Sequence, residues 1–107
     1  MKYSIIISPL DKNSNAIIHA IGFIQALLKL KQVQISVFFY GHAVQSAFEF
    51  DPEWLKISQK NVSLIACSTI AEEYLQKNIQ PNKYVSILGL GQWMESVHDA
   101  NKSIEFS

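Results

Sequence analysis

Strand-like and helix-like stretches alternate along the whole of this 107-residue chain. That alternation predicts an α/β fold, a three-layer α/β/α sandwich around a mostly parallel sheet of about five strands. Two further observations support it. The strand runs are continuously apolar, as in Ile5-Ile6-Ile7 and Val37-Phe38-Phe39, which suggests burial on both faces of the sheet. No internal repeat, linker or low-complexity tract divides the chain, so residues 1–107 read as one domain, long enough for one ordinary core.

Tyr3 to Ile7 is the first strand, closed by Ser8-Pro9. The polar turn Asp11-Lys12-Asn13-Ser14-Asn15 offers several N-caps. From Ala16 to Leu30 the apolar positions Ile17, Ile18, Ile21, Phe23, Ile24, Leu27, Leu28 and Leu30 make a broad helical stripe. Lys29 and Lys31 fall in its last turn, where the helix dipole favours cations. Gln34 to Tyr40 is the second strand, ending at Gly41. Ala43 to Phe48 suits a short helix, and Pro52 starts another running to about Gln59. Val62 to Ala66 is the third strand, and Thr69 to about Asn78 the helix after it. Lys83 to Leu88 is the fourth strand, Gln92 to about Ala100 the last helix and Ser103 to Phe106 the final strand.

Nine acidic residues balance nine basic ones, so no net field favours nucleic acid, a membrane surface or an acidic partner. All nine cations are Lys, which counts against base readout and bidentate phosphate gripping, both of which favour the guanidinium fork. A single cysteine cannot form an internal disulfide. The N-terminal apolar run is too short for a signal peptide, and no run reaches the ~18 residues of a membrane span. A cytoplasmic protein without a membrane segment is expected.

That cysteine, Cys67, stands where the apolar run Val62-Ser63-Leu64-Ile65-Ala66 gives way to a helical stretch. In a parallel α/β sheet such strand-to-helix turns lie at the carboxyl edge, where ligand sites gather. Thr69 and Glu72 have the spacing of a capping box. Cys67 would then sit two residues before the cap, near free backbone N–H groups that favour the reactive thiolate. Packing explains the same residue, because free cysteine is among the most buried residue types. Both readings stand on these residues alone.

Three segments carry a resemblance. "SVFFYGHAV" (36–44), "NVSLIACSTIAEEYL" (61–75) and "VSILGLGQWMESVHDANKSIEFS" (85–107) are similar, in order and spacing, to the DsrE/TusD family of sulfur-relay proteins. With the opening strand and helix the resemblance covers nearly the whole chain. It implies a DsrE-like fold and a sulfurtransferase in which Cys67 carries a persulfide between donor and acceptor proteins. It also implies a homo- or hetero-oligomer with sister subunits of the same fold, with sulfur passing toward tRNA 2-thiouridine or serving sulfur oxidation. No direct nucleic-acid contact, cofactor or metal is implied. The segment from Phe39 to Val62 is shorter than the family's insertion between the second and third strands, which bears on the partner more than on the chemistry.

Other constellations are weaker. Gly89-Leu90-Gly91 begins a Gly-x-Gly pattern, but Met94 stands where a third glycine belongs, so a tight turn near the cysteine is expected rather than a nucleotide cradle. His19, His42 and His98 lack metal-ligand spacing. His42 follows the second strand and so could share an edge with Cys67 as a proton partner, or be a solvated loop residue. His19 reads as a helix-face residue and His98 as a surface one. Among Trp54, Trp93, Phe48 and Phe50, Trp93 is the candidate for a partner-facing ring. Glu72-Glu73 is accounted for by its place in a first helical turn. Two alternatives remain: a non-catalytic subunit whose cysteine only packs, and a small-molecule module at the glycine turn.

Overall fold

The computed structural model describes residues 1–11 and 13–107; Lys12, in the predicted polar turn, lies outside them. The strands are β1 (Lys2–Ile7), β2 (Gln34–Phe39), β3 (Val62–Cys67), β4 (Ser86–Leu88) and β5 (Lys102–Phe106). They form one sheet in the order β4-β3-β2-β1-β5. Every neighbouring pair is parallel, so the sheet is wholly parallel, in an α/β fold. The helices are α1 (Ala16–Leu27), α2 (Pro52–Ser58), α3 (Ser68–Gln76) and α4 (Leu90–Ser96), with a 3₁₀ segment at Gly41–Ala47.

The strand order decides which face each helix covers. From β1 to β4 the chain steps always in the same direction across the sheet. Right-handed crossovers then put α1, the 3₁₀ segment, α2 and α3 on one face. The return from β4 at one edge to β5 at the other runs the opposite way, so among the described residues α4 is the one helix that crosses the second face. Aromatic contacts agree. Phe39 meets Trp54 of α2 edge-on at 5.0 Å, while its neighbour Phe38 stacks on Trp93 of α4 at 4.6 Å.

The first face holds the main core. Ile5, Ile7, Ile35, Val37, Phe39 and Leu64 are buried there, under Ala16, Ala20, Ile24 and Leu27 of α1 and Trp54 and Ile57 of α2. Each large apolar side chain removed from water contributes about 1.5–3 kcal/mol. The second face differs from the two-sided burial that the apolar runs suggested. Ser103, Ser4, Ser36 and Ser63 stand in register across four strands. Ser63, Ser86, Ser103 and Glu105 are exposed, because a helix of seven residues cannot cover five strands.

Helix ends also differ from the sequence reading. The α-helical part of α1 stops at Leu27; Lys29 and Leu30 bond back to Ala26 and Leu27 in a tightened turn, leaving both lysines beyond the helix. Ile18 and Leu30, placed on the apolar stripe, are exposed. Helix α3 closes at Lys77 with Asn78 in the left-handed conformation (φ 60°). The Ile79 and Asn78 N–H groups donate to Tyr74 and Leu75 carbonyls, a Schellman arrangement. The fourth strand is shorter than expected because Lys83 and Tyr84 form a turn, closed by the Val85 N–H donating to the Asn82 carbonyl at 3.1 Å. Asn82 Nδ2 donates to the Ser46 and Glu49 carbonyls, and the Asp51 N–H donates to Tyr84 Oη.

Candidate functional site

Cys67 ends β3, pairing with Leu88 of β4. On the other side Ala66 pairs with Phe39, so Tyr40 is its neighbour in the next position. The cysteine therefore lies at the carboxyl edge of an interior parallel strand, as the sequence predicts. By alternation from Ile65 and Ser63 its side chain belongs to the second face, the one crossed by α4.

The predicted capping box does not form. Helix α3 begins at Ser68, so Cys67 itself is the N-cap, in an extended conformation (φ −65°, ψ 123°) and with no side-chain capping bond. Thr69 and Glu72 lie inside the helix, too late to close its first turn; Glu72 Oε1 instead accepts from Gln76 Nε2 at 3.3 Å. Against expectation, this brings the thiol nearer to the free N–H groups of α3 than the sequence suggested.

The sulfur is covered. Cys67 is 3% exposed. Leu88 lies beside Cys67 in the sheet, and Trp93, five residues later, stacks on Phe38 of β2. Since β3 sits between β4 and β2, Gly89-Leu90-Gly91-Gln92 must pass over the end of β3. Gly89 is close to the start of α3, where a Cβ on it would stand 3.7 Å from Ser68 Oγ and 3.5 Å from Gln92 Oε1. The Gly89 N–H donates to Gln92 Oε1 at 3.0 Å, capping α4. Gly89 thus starts α4 beside the cysteine, whereas Gly91, expected in the turn, lies inside that helix.

Other predicted residues fall elsewhere. Gly41 turns the chain out of β2 with φ 61°, and exposed His42 lines a depression with Pro9, Asp11, Ser14, Ile17 and Gln45 that does not include Cys67. His19 and His98 are exposed, as expected, and His98 Nδ1 is paired with the Glu95 carbonyl. Trp93 is not partner-facing: it is buried, and its Nε1–H donates to Ser36 Oγ at 3.1 Å. Trp54 is fully buried, Phe48 stacks on Tyr74 at 4.4 Å, and Phe50 is exposed. Among the described residues no group of three or more His, Cys, Asp or Glu could hold a metal ion, and no helix is long and apolar enough to cross a membrane.

Three residues around α4 escaped the sequence reading. Tyr40 and Leu90 are exposed and border a 260 Å³ cavity with Ile6, Ser8, Phe38 and Glu105. Ser36 is buried under Trp93. The only sequence signal for Ser36 is a polar residue inside an apolar strand. Its meaning depends on which helix crosses that face.

No protein-family model matches this sequence, nor does any curated protein sequence. Solved structures are similar in fold. The ychN protein from E. coli superposes with a TM-score of 0.79 at 17% identity, covering 99% of this chain and 100% of that one. A protein of unknown function from Methanobacterium thermoautotrophicum has a TM-score of 0.75 at 15% identity, over 96% and 97% of the two chains. A conserved protein of unknown function from Bacteroides thetaiotaomicron follows with 0.68 at 13%, over 96% and 92%. These likenesses show a DsrE-like α/β fold.

Proposed function

We propose that this chain is a sulfurtransferase subunit of the TusD/DsrE kind, with Cys67 as the persulfide carrier. One observation carries the reading: the only cysteine of the chain stands at the N-cap position of the helix that follows an interior parallel strand, at the carboxyl edge. Backbone N–H groups at a helix start favour an anion there. The Cys67 thiolate attacks the terminal sulfur of a donor protein's persulfide. A Cys67 Sγ–S bond forms, the donor S–S bond breaks, and the donor leaves as a thiolate that takes up a proton. Sulfur passes on by the same step in reverse roles, to an acceptor thiolate, with no net oxidation.

With no second cysteine, both steps join two proteins, so the reading includes donor and acceptor partners and a homo- or hetero-oligomer of this fold in the cytoplasm. Sulfur would leave toward tRNA 2-thiouridine or serve sulfur oxidation; the protein makes no direct nucleic-acid contact. Incubation with a cysteine desulfurase and cysteine should add the mass of one sulfur atom per chain. Sedimentation at micromolar concentration, alone and with sister subunits, should give a species larger than 12.1 kDa.

A second reading, a structural subunit with Cys67 only packing, is favoured by the 3% exposure of that residue. In that case the intact mass does not change, and a thiol reagent reacts no faster than the chain unfolds.

A further inference from the structure

A sulfur carrier whose sulfur is covered must open. We infer that Gly89–Gly91 and the helix α4 it leads into form a gate over Cys67, held shut by Trp93 and opening at the glycine end. Helix α4 is attached by little: of its seven residues only Trp93 is buried. That side chain is fixed twice, by stacking on Phe38 at 4.6 Å and by its Nε1–H bond to Ser36 Oγ at 3.1 Å. Both flanks of the helix are open. On one side lies a 230 Å³ cavity lined by Lys2, Gln34, Ser36, Ser63 and Leu88, and on the other the 260 Å³ cavity beside Tyr40 and Leu90.

The two ends of α4 differ. Its C-terminal end is tied to β1, since Lys2 Nζ donates to the Ser96 carbonyl at 3.1 Å and to Asp99 Oδ1 at 2.8 Å. Its N-terminal end, the one over Cys67, has glycine at the N-cap and at the second helical position. Adding a Cβ at Gly91 would meet nothing within 4 Å, so packing does not require glycine there. A helix tethered at one end, weak at the other and anchored by one ring belongs to the low-stability units that open without global unfolding. Opening uncovers Cys67 and leaves the main core on the opposite face undisturbed.

The gate rests on the persulfide reading for its purpose, but its test does not need sulfur transfer. Labelling of Cys67 by a small thiol reagent is followed in the intact chain across urea concentrations below the unfolding transition. The rate should exceed that allowed by global unfolding and hardly change with urea. Ser36→Ala removes the acceptor of the Trp93 bond and should speed labelling by about three- to tenfold, the worth of one hydrogen bond. Gly91→Ala favours the closed helix and should slow it by about four- to fivefold. The inference is overturned if labelling in every variant follows urea with the slope of global unfolding, or if neither substitution changes the rate. A chain that labels through the gate yet gains no sulfur from a desulfurase would sink the carrier reading and leave the gate standing.

Discussion

At the scale of single residues, one substitution separates the carrier role proposed for Cys67 from its packing. Cys67→Ser keeps the size and removes the nucleophile, since a serine hydroxyl is scarcely ionised at neutral pH. Burying a hydroxyl without a partner costs about 1–3 kcal/mol. The site supplies partners, however, because residue 67 is the N-cap of α3 and its present side chain makes no capping bond. Serine is a preferred N-cap, worth about 0.5–2 kcal/mol over a non-capping residue. A serine hydroxyl that makes the cap bond is not left unpaired, so urea unfolding should place Cys67→Ser within about 1 kcal/mol of the parent. Its mass should not change after incubation with a desulfurase. A serine variant that still takes up sulfur would remove Cys67 from the mechanism. The change of cap from Thr69 to Cys67 was not legible in the sequence. A good capping pattern at Thr69 and Glu72 lost to a helix that starts as soon as the strand ends, because the turn at the carboxyl edge has no residue to spare.

At the scale of elements, α4 decides how the second face behaves, and Trp93 decides how α4 behaves. Trp93→Ala removes both the stack on Phe38 and the bond to Ser36. It should cost about 3–5 kcal/mol in urea unfolding, the usual range for a buried Trp, and should make Cys67 label rapidly. A loss under 1 kcal/mol, on the order of a surface change, would mean that α4 is not anchored there. The tether at the other end responds to acid. The hydrogen bond from Lys2 Nζ, and then its positive charge, hold the Asp99 carboxyl below its ordinary 3.8. A lowered folded-state pKa means that the pair stabilises fully above 3.8 and less as pH falls through the lowered value. Asp99→Asn should therefore be less stable than the parent near neutrality, with the difference shrinking in acid. The pair is exposed, so the effect is small and fades in high salt. A difference that grows as pH falls would contradict this assignment.

At the scale of the whole molecule, the elements were legible and their arrangement was not. Apolar β-branched runs mark strands whatever their neighbours, and the stripe from Ile17 to Leu27 marks α1 in the same way. The strand order is a property of the crossovers. It alone makes Trp93 a core residue instead of a partner-facing one, and turns Ser4, Ser36, Ser63 and Ser103 into one row on a thinly covered face. The same order leaves the only thiol beneath the return crossover, which sets the kinetics expected of a carrier. One cysteine per chain means that sulfur can leave only to another molecule. A protein loaded with sulfur and freed of small thiols should keep it, and should lose it when an acceptor thiol protein is added. At low acceptor concentration the loss should rise in proportion to acceptor. At high concentration it should level off at the rate at which α4 uncovers Cys67, a ceiling that Gly91→Ala lowers by at most about four- to fivefold. Mass spectrometry against time reads both regimes. Loss that ignores acceptor concentration throughout would contradict transfer between molecules. Loss that rises without a ceiling would mean that the acceptor reaches Cys67 without waiting for α4.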